Sequence, residues 1–170
     1  MGPVVCLADS YKGWILSGHA AMIPMGNGWG WALVVEDQTV MRRMIRNVLM
    51  NYGFSNVVGV DNGNAALEHL RSKDGQRIRL VVCDFHMPVM NGLEFLRELR
   101  RSPIFGKIPF LMVSDEARRD CIVEVLTAGA NSYVIKPFST ETLYWHLEFV
   151  LSGSGKKKNK QDAIASTQAI

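Results

Sequence analysis

Four apolar runs of this chain end on side chains able to do chemistry: "WALVVED" on Glu36 and Asp37, "LVVCD" on Asp84, "FLMVS" on Ser114, and "SYVIK" on Lys136, beside Pro137. Three carboxylates gathered at one place repel one another, and a hard divalent cation with oxygen ligands, Mg²⁺ being the usual intracellular choice, offsets that repulsion. With a metal, a hydroxyl and an ammonium around it, Asp84 is equipped to take a phosphoryl group. The carboxylate would be the nucleophile, the metal and Lys136 would neutralise charge on the transferred oxygens, and Ser114 would donate to one of them. The stretch "HMPVMNG" that follows Phe85 suits this role. A sharp turn there leaves the Asp84 carboxylate exposed above its strand and the His86 carbonyl facing the metal. A cis imide at Pro137 would aim Lys136 inward.

Such a site needs strand ends held side by side. "WALVV", "NVVGV", "LVVCD", "IPFLMVS" and "SYVIK" are short apolar runs rich in β-branched residues, as expected of strands covered on both faces. Val40, Met41, Met44, Ile45, Val48, Leu49 and Tyr52 recur at helical spacing opposite Arg42, Arg43, Arg46 and Asn47, and Gly53 supplies a C-terminal cap. Ala65, Ala66, Leu67 and Leu70 mark a second helix, and Leu93, Leu96 and Leu99 a third. The fourth is predicted over Ala117 to Ala128, capped by Gly129, and the fifth over Thr140 to Leu151. Five strands alternating with five helices imply a doubly wound α/β domain, a five-stranded parallel sheet with helices on both faces, because a parallel connection needs a crossover of about a dozen residues. Ligands of such sheets sit beyond the carboxyl ends of the strands, where strand order reverses. The polar ends quoted above all fall there.

Charge and composition narrow the class. The chain has 170 residues, 48% of them hydrophobic, enough for one domain with a sizeable core and extensions. Its net charge of +3 resides in the tail: Lys156, Lys157, Lys158 and Lys160 follow Ser152, against Asp162 alone. The body is neutral and offers no basic face or reading helix, so no nucleic-acid partner is expected. Cys6, Cys83 and Cys121 are far apart without metal-ligand spacing, which fits a reducing cytoplasm. No run of 18 or more apolar residues spans a membrane. Residues 1–30 make a poor signal peptide and read as a leader of uncertain origin, native or vector-derived. Residues 31–152 form the domain, and 153–170 a flexible basic tail.

The stretch from Trp31 to about Leu151 resembles a response-regulator receiver domain, which has a flavodoxin-like fold. The resemblance rests on the order and spacing of Glu36-Asp37, Asp84 with Met87-Pro88 and Gly92, Ser114, and Lys136-Pro137-Phe138. Within that family "MRRMIRNVLMNYGFSNV" and "ALEHL" are most similar to stand-alone chemotaxis regulators of the CheY type. What the resemblance implies is a cytoplasmic single-domain response regulator of a two-component system, phosphorylated on Asp84 by a sensor histidine kinase with Mg²⁺. It would not be an enzyme beyond catalysing its own phosphorylation and dephosphorylation. Glu36, Asp37, Asp84 and the His86 backbone carbonyl would hold the metal. Ser114 and Tyr133 would form the switch: the hydroxyl moves toward the phosphoryl group and the aromatic turns inward. The face made by the fourth helix, fifth strand and fifth helix then changes for a downstream target, with Tyr133 and Trp145 as candidate contacts. His86 and Glu116, each two residues past Asp84 and Ser114, occupy positions that influence phosphoryl lifetime in the family, and a phosphatase is a further candidate partner. Physically, a new charge of about −1.5 to −2 biases a two-state element.

Other readings compete. A phosphorelay shuttle would pass the group to a histidine phosphotransfer protein, and a binding module would act without phosphorylation. A phosphatase of the haloacid-dehalogenase type resembles a D-x-D pattern, whereas Asp84 is followed by Phe85 and His86. A mononucleotide binder needs a Gly-rich loop where "EDQTVMRR" stands. His86 has no partner histidine at ligand spacing and is placed at the rim of the site, and His69 and His146 are read as helix-surface residues. In the fifth helix Leu143, Leu147, Val150 and Leu151 form the core stripe, so Tyr144, Trp145 and Phe149 add an apolar surface for a partner or the leader.

Overall fold

Strands β1 (Trp31–Val35), β2 (Asn56–Val60), β3 (Ile78–Asp84), β4 (Phe110–Ser114) and β5 (Ser132–Ile135) lie parallel in one sheet, in the order β2-β1-β3-β4-β5. Helices α1 (Thr39–Tyr52), α2 (Gly63–Arg71), α3 (Gly92–Arg101), α4 (Arg119–Ala128) and α5 (Thr140–Leu151) connect and follow them. This is the expected flavodoxin-like arrangement, and strand order reverses between β1 and β3. The computed structural model describes residues 28–152 and an upstream antiparallel pair of strands, Trp14–Leu16 and Met22–Pro24. The rest of the expected leader and the 153–170 tail lie outside the described residues.

Alternation along the strands builds two cores. Leu33, Val35, Val81, Cys83, Phe110 and Met112 face α2, α3 and α4, while Ala32, Val34, Leu80, Val82, Leu111 and Val113 face α1 and α5. Each large side chain buried this way contributes about 1.5–3 kcal/mol. Both faces are therefore covered by apolar side chains, and the polar strand ends meet at the carboxyl edge of the sheet.

Helix α1 buries Ile45, Val48, Leu49 and Tyr52, but Val40 is 83% exposed and Met44 is also exposed. At about 100° per residue Val40 lies about 140° round the helix from Ile45, off the stripe. Helix α4 starts at Arg119, two residues later than predicted. Arg118 is extended there (φ −67°, ψ 131°), and its N–H donates to Glu116 Oε1 at 2.9 Å, which holds 115–118 as a loop. Trp29 and Gly30, assigned by sequence to the leader, are tied to the domain. The Trp29 N–H donates to Gly53 O at 3.1 Å and the Ser55 N–H to Gly30 O at 2.9 Å, while the Trp29 ring stacks on Tyr52, which in turn meets Tyr144 of α5.

His146 is a correction: it is 4% exposed, not a surface residue, and its Nδ1 is 2.8 Å from Ser132 Oγ. His69 is half-buried. One polar partner on β5 lets a histidine join the stripe of Leu143, Leu147 and Val150. Burial lowers its pKa from 6.5 to about 4, so it stays neutral in the folded protein while the unfolded chain protonates below about 6.5. Its contribution is therefore fully present above that pH and is lost as pH falls toward 4, by about 2 kcal/mol at pH 5. Urea unfolding of wild type and His146→Gln at pH 7 and pH 5 should show this difference in pH dependence. Equal losses in both proteins would refute it.

Candidate functional site

Each acidic group is placed by the end of a central strand. The Glu36 N–H continues the β1–β2 ladder by donating to Val60 O at 3.0 Å, after which the chain leaves the sheet; the Glu36 side chain is buried and the exposed Asp37 follows. Asp84 ends β3, almost fully buried, and its Oδ1 accepts the Phe85 N–H at 2.8 Å. The turn behind it is sharp, as the sequence suggests, but it leaves the Asp84 carboxylate 4% exposed rather than open above the strand, because Lys136 and the acidic pair cover it. The Gly92 N–H donates to Phe85 O at 2.9 Å, and a Cβ on Gly92 would stand 2.1 Å from Asp84 O, so only glycine lets α3 begin this close. Asn91 and Glu94 close a reciprocal capping box there.

Val89 in this turn has φ 69°, a left-handed conformation that β-branched residues strongly disfavour, and its side chain is 79% exposed. Val89→Asn is expected to raise stability by about 1 kcal/mol, read as a higher urea midpoint at unchanged slope. No gain would mean the turn is held without strain.

The site converges where β1 and β3 part. Carboxylate oxygens of Glu36, Asp37 and Asp84 all lie within 4.8 Å of one another. Lys136 reaches over from the end of β5, its Nζ 2.9 Å from Glu36 Oε2 and 3.2 Å from Asp84 Oδ1, and the Lys136–Pro137 peptide is cis as expected. Burial pushes the Glu36 and Asp84 carboxyls above their ordinary range, an effect that Lys136 only partly offsets. Burial would pull the Lys136 ammonium down, but the Glu36 hydrogen bond and the Asp84 charge outweigh it and its pKa is raised. One ammonium against three clustered carboxylates leaves the site short of positive charge. The donors are hard oxygens, the set a small divalent cation takes, so these residues fit Mg²⁺.

The remaining residues named from sequence form a second cluster. Ser114 is fully buried and its Oγ accepts the Glu116 N–H at 3.1 Å. Tyr133 is a correction: its ring is already turned inward and only 2% exposed, so it offers no surface contact to a target; its hydroxyl donates to Glu116 O at 2.7 Å, and burial pushes the phenol up to about 12. Glu116 is thus the physical link between the two. His86 stands at the rim, 57% exposed, its Nε2 3.9 Å from Asp115 Oδ1. On α5, Trp145 is 47% exposed and stacks on Phe149 with centroids 5.7 Å apart, whereas Tyr144 is partly buried against Tyr52. The open aromatic surface is therefore narrower than the sequence suggests.

Sequence reasoning missed the groups that brace this constellation. Arg118 holds the Glu116 carboxylate from the start of α4, and Asp115 faces His86. Arg42 bonds the backbone of the acidic pair. None carries a local signal beyond being charged, because each acts on a residue placed by the fold.

The family model described as response regulator receiver domain matches residues 32–148, and the chain belongs to that family. The chain is 40% identical over 116 residues to chemotaxis protein CheY of Pseudomonas aeruginosa, covering 68% of this chain and 91% of that protein. It is 39% identical over 111 residues to chemotaxis protein CheY-3 of Vibrio cholerae, covering 65% and 83% respectively. The high-resolution structure of chemotaxis response regulator CheY4 of Vibrio cholerae matches with a TM-score of 0.65 at 30% identity, over 71% of this chain and 98% of that one. The domain is thus a CheY-like receiver, consistent with two-component signalling. Among the described residues no helix is long and apolar enough to cross a membrane.

Proposed function

We propose that this protein is a response regulator that accepts a phosphoryl group on Asp84 from a sensor histidine kinase and thereby resets its α4-β5-α5 face for a downstream protein. The observation that carries this reading is the gathering of Glu36, Asp37 and Asp84 within 4.8 Å, with the Lys136 ammonium 3.2 Å from Asp84. Mg²⁺ bound by Glu36, Asp37, Asp84 and the His86 carbonyl would neutralise charge developing on the transferred oxygens.

The chain's own residues do the rest. The contacts of Asp84 with the Phe85 N–H and Lys136 both fall on Oδ1, which keeps Oδ2 uncommitted among the described residues. An oxygen of this carboxylate attacks phosphorus, the phosphorus–nitrogen bond of the donor phosphohistidine breaks, and the imidazole nitrogen keeps the electron pair. Lys136 is already paired with the acid it must neutralise and needs little reorganisation. Ser114 donates to a phosphoryl oxygen. Since its Oγ also receives the Glu116 N–H, and Glu116 O receives the Tyr133 hydroxyl, moving Ser114 displaces the loop that precedes α4. Trp145 then lies on a face whose shape depends on phosphorylation. His86 and Glu116 flank the acceptor and bear on access of water, hence on phosphoryl lifetime, and a phosphatase would approach there.

Intact-mass analysis after incubation with acetyl phosphate, with and without Mg²⁺, tests this. One hydrolysable adduct that requires Mg²⁺ is expected. Its absence under every condition would leave a phosphorylation-independent binding module.

A further inference from the structure

We infer that Arg42 is a positioning residue for the metal-binding loop: its guanidinium fixes the backbone of Glu36 and Asp37, and Gly59 is the notch that lets it reach. The inference rests on the reading of Glu36, Asp37 and Asp84 as Mg²⁺ ligands. Helix α1 opens without ordinary fastenings, since Gln38 at its N-cap makes no side-chain capping bond and no acidic residue sits in the first turn. Arg42 supplies a fastening from one turn further on. Its Nη1 donates to Glu36 O and, at 3.2 Å, to Asp37 O, while Nη2 lies 3.4 Å from Thr39 Oγ1. One rigid planar group on two consecutive carbonyls holds the peptide unit between them.

That matters most for Asp37. The Glu36 carboxylate is held by Lys136 and by the Gln38 N–H, but the Asp37 carboxylate has no side-chain hydrogen bond among the described residues. Its position is therefore set through its backbone.

Gly59 is a second, independent sign. It sits inside edge strand β2, paired with Val34, where glycine is unfavourable unless another group approaches closely. The group that approaches is the Arg42 stem: a Cβ at 59 would lie 3.1 Å from Arg42 Cδ and 3.2 Å from Cγ. Arg46, one turn on, lies over the same strand, with Nε 3.3 Å from Val57 O, so the stems of both arginines run across β2.

Electrostatics alone predicts the opposite sign to positioning, which makes the test decisive. Removing a cation near a cation site should tighten Mg²⁺ if charge is all that matters, whereas losing a brace should weaken it. The full chain would be titrated with Mg²⁺ by calorimetry, with the Mg²⁺-induced rise in melting temperature as a second readout. Arg42→Ala should bind Mg²⁺ about tenfold more weakly. Arg42→Lys, which keeps the charge without the fork, should fall between it and the wild type. Gly59→Val, which crowds the stem from another element, should weaken binding several-fold, on the order of half the Arg42→Ala effect on a logarithmic scale. Arg43→Ala, on the exposed side of the same helix, should stay within about twofold of the wild type. Mg²⁺ binding by Arg42→Ala as tight as or tighter than the wild type would overturn the inference. No Mg²⁺ binding by the wild type would overturn the metal reading and this inference with it.

Discussion

Asp84→Asn is expected to carry no phosphoryl group at any donor or Mg²⁺ concentration and, in metal-free buffer near neutral pH, to melt above the wild type. Loss of labelling follows because the amide is no nucleophile, and no second carboxylate stands where Asp84 does between Lys136 and the acidic pair. The gain in stability follows from burial. Burial raises the Asp84 pKa, and Lys136 with the Phe85 N–H recovers only part of the cost of ionisation. A carboxyl whose folded value lies above its unfolded value loses stability as pH rises between the two, and the full cost is present above the folded value. Asparagine removes that charge while Lys136 keeps Glu36 at 2.9 Å. Differential scanning calorimetry with and without Mg²⁺ separates the two consequences: the wild type should gain stability from Mg²⁺, and the variant much less. A stable adduct on the variant would move the acceptor elsewhere. A lower melting temperature would show that attraction to Lys136 outweighs desolvation.

Much of this site was legible because its chemistry sits at strand ends. A run such as "LVVCD" states both its burial and the residue it delivers, and in a doubly wound sheet the crossover topology brings successive carboxyl ends together. Glu36, Asp84 and Lys136 meet for that reason, with Ser114 O accepting the Lys136 N–H at 2.7 Å beside them, and Gly92 stood out by its place in the receiver motif, where the structure has room for nothing larger. Arg42 was not readable. Its stripe position marked it as solvent-facing, and its partner notch at Gly59 belongs to a strand 17 residues away along the chain. His146 failed for a related reason: polarity argued for the surface, but a single hydroxyl, Ser132, is enough to make a buried imidazole acceptable. Val40 and Met44 show the reverse error, apolar residues that helical spacing alone placed on the core face. Pattern fixes which face an element buries. The pairings between faces, one bond at a time, come only with the three-dimensional arrangement.

Arg100→Ala should cost about 3 kcal/mol of stability while leaving the phosphorylation chemistry of the folded protein nearly unchanged. From the last turn of α3 the guanidinium donates to Gly129 O at 3.0 Å, Gly106 O at 3.2 Å, Ile108 O at 2.9 Å and Asn131 Oδ1 at 3.2 Å. Asn131 Oδ1 also accepts the Phe110 N–H at 2.8 Å, and the guanidinium lies 5.8 Å from the centroid of the Phe110 ring. One side chain therefore fastens the loop after α3, the turn between α4 and β5, and the entry to β4. Burial lowers its pKa, yet a guanidinium stays charged at neutral pH and its hydrogen bonds remain charge-assisted. Single bonds of this kind are worth about 1.5–3 kcal/mol, and the four share one side chain, so their losses do not add in full. All these contacts lie at the amino end of β4 and β5, opposite the edge that carries Ser114 and Lys136. Acetyl phosphate labelling of the folded variant should accordingly stay within about twofold of the wild type, because an unchanged site keeps its transition-state contacts. Urea denaturation would read the stability loss as a lower midpoint at unchanged slope. A loss below about 1 kcal/mol would place the brace among ordinary surface interactions. Normal stability with impaired labelling would instead reveal coupling through β4 and β5, along which the amino edge could influence Ser114 and Lys136.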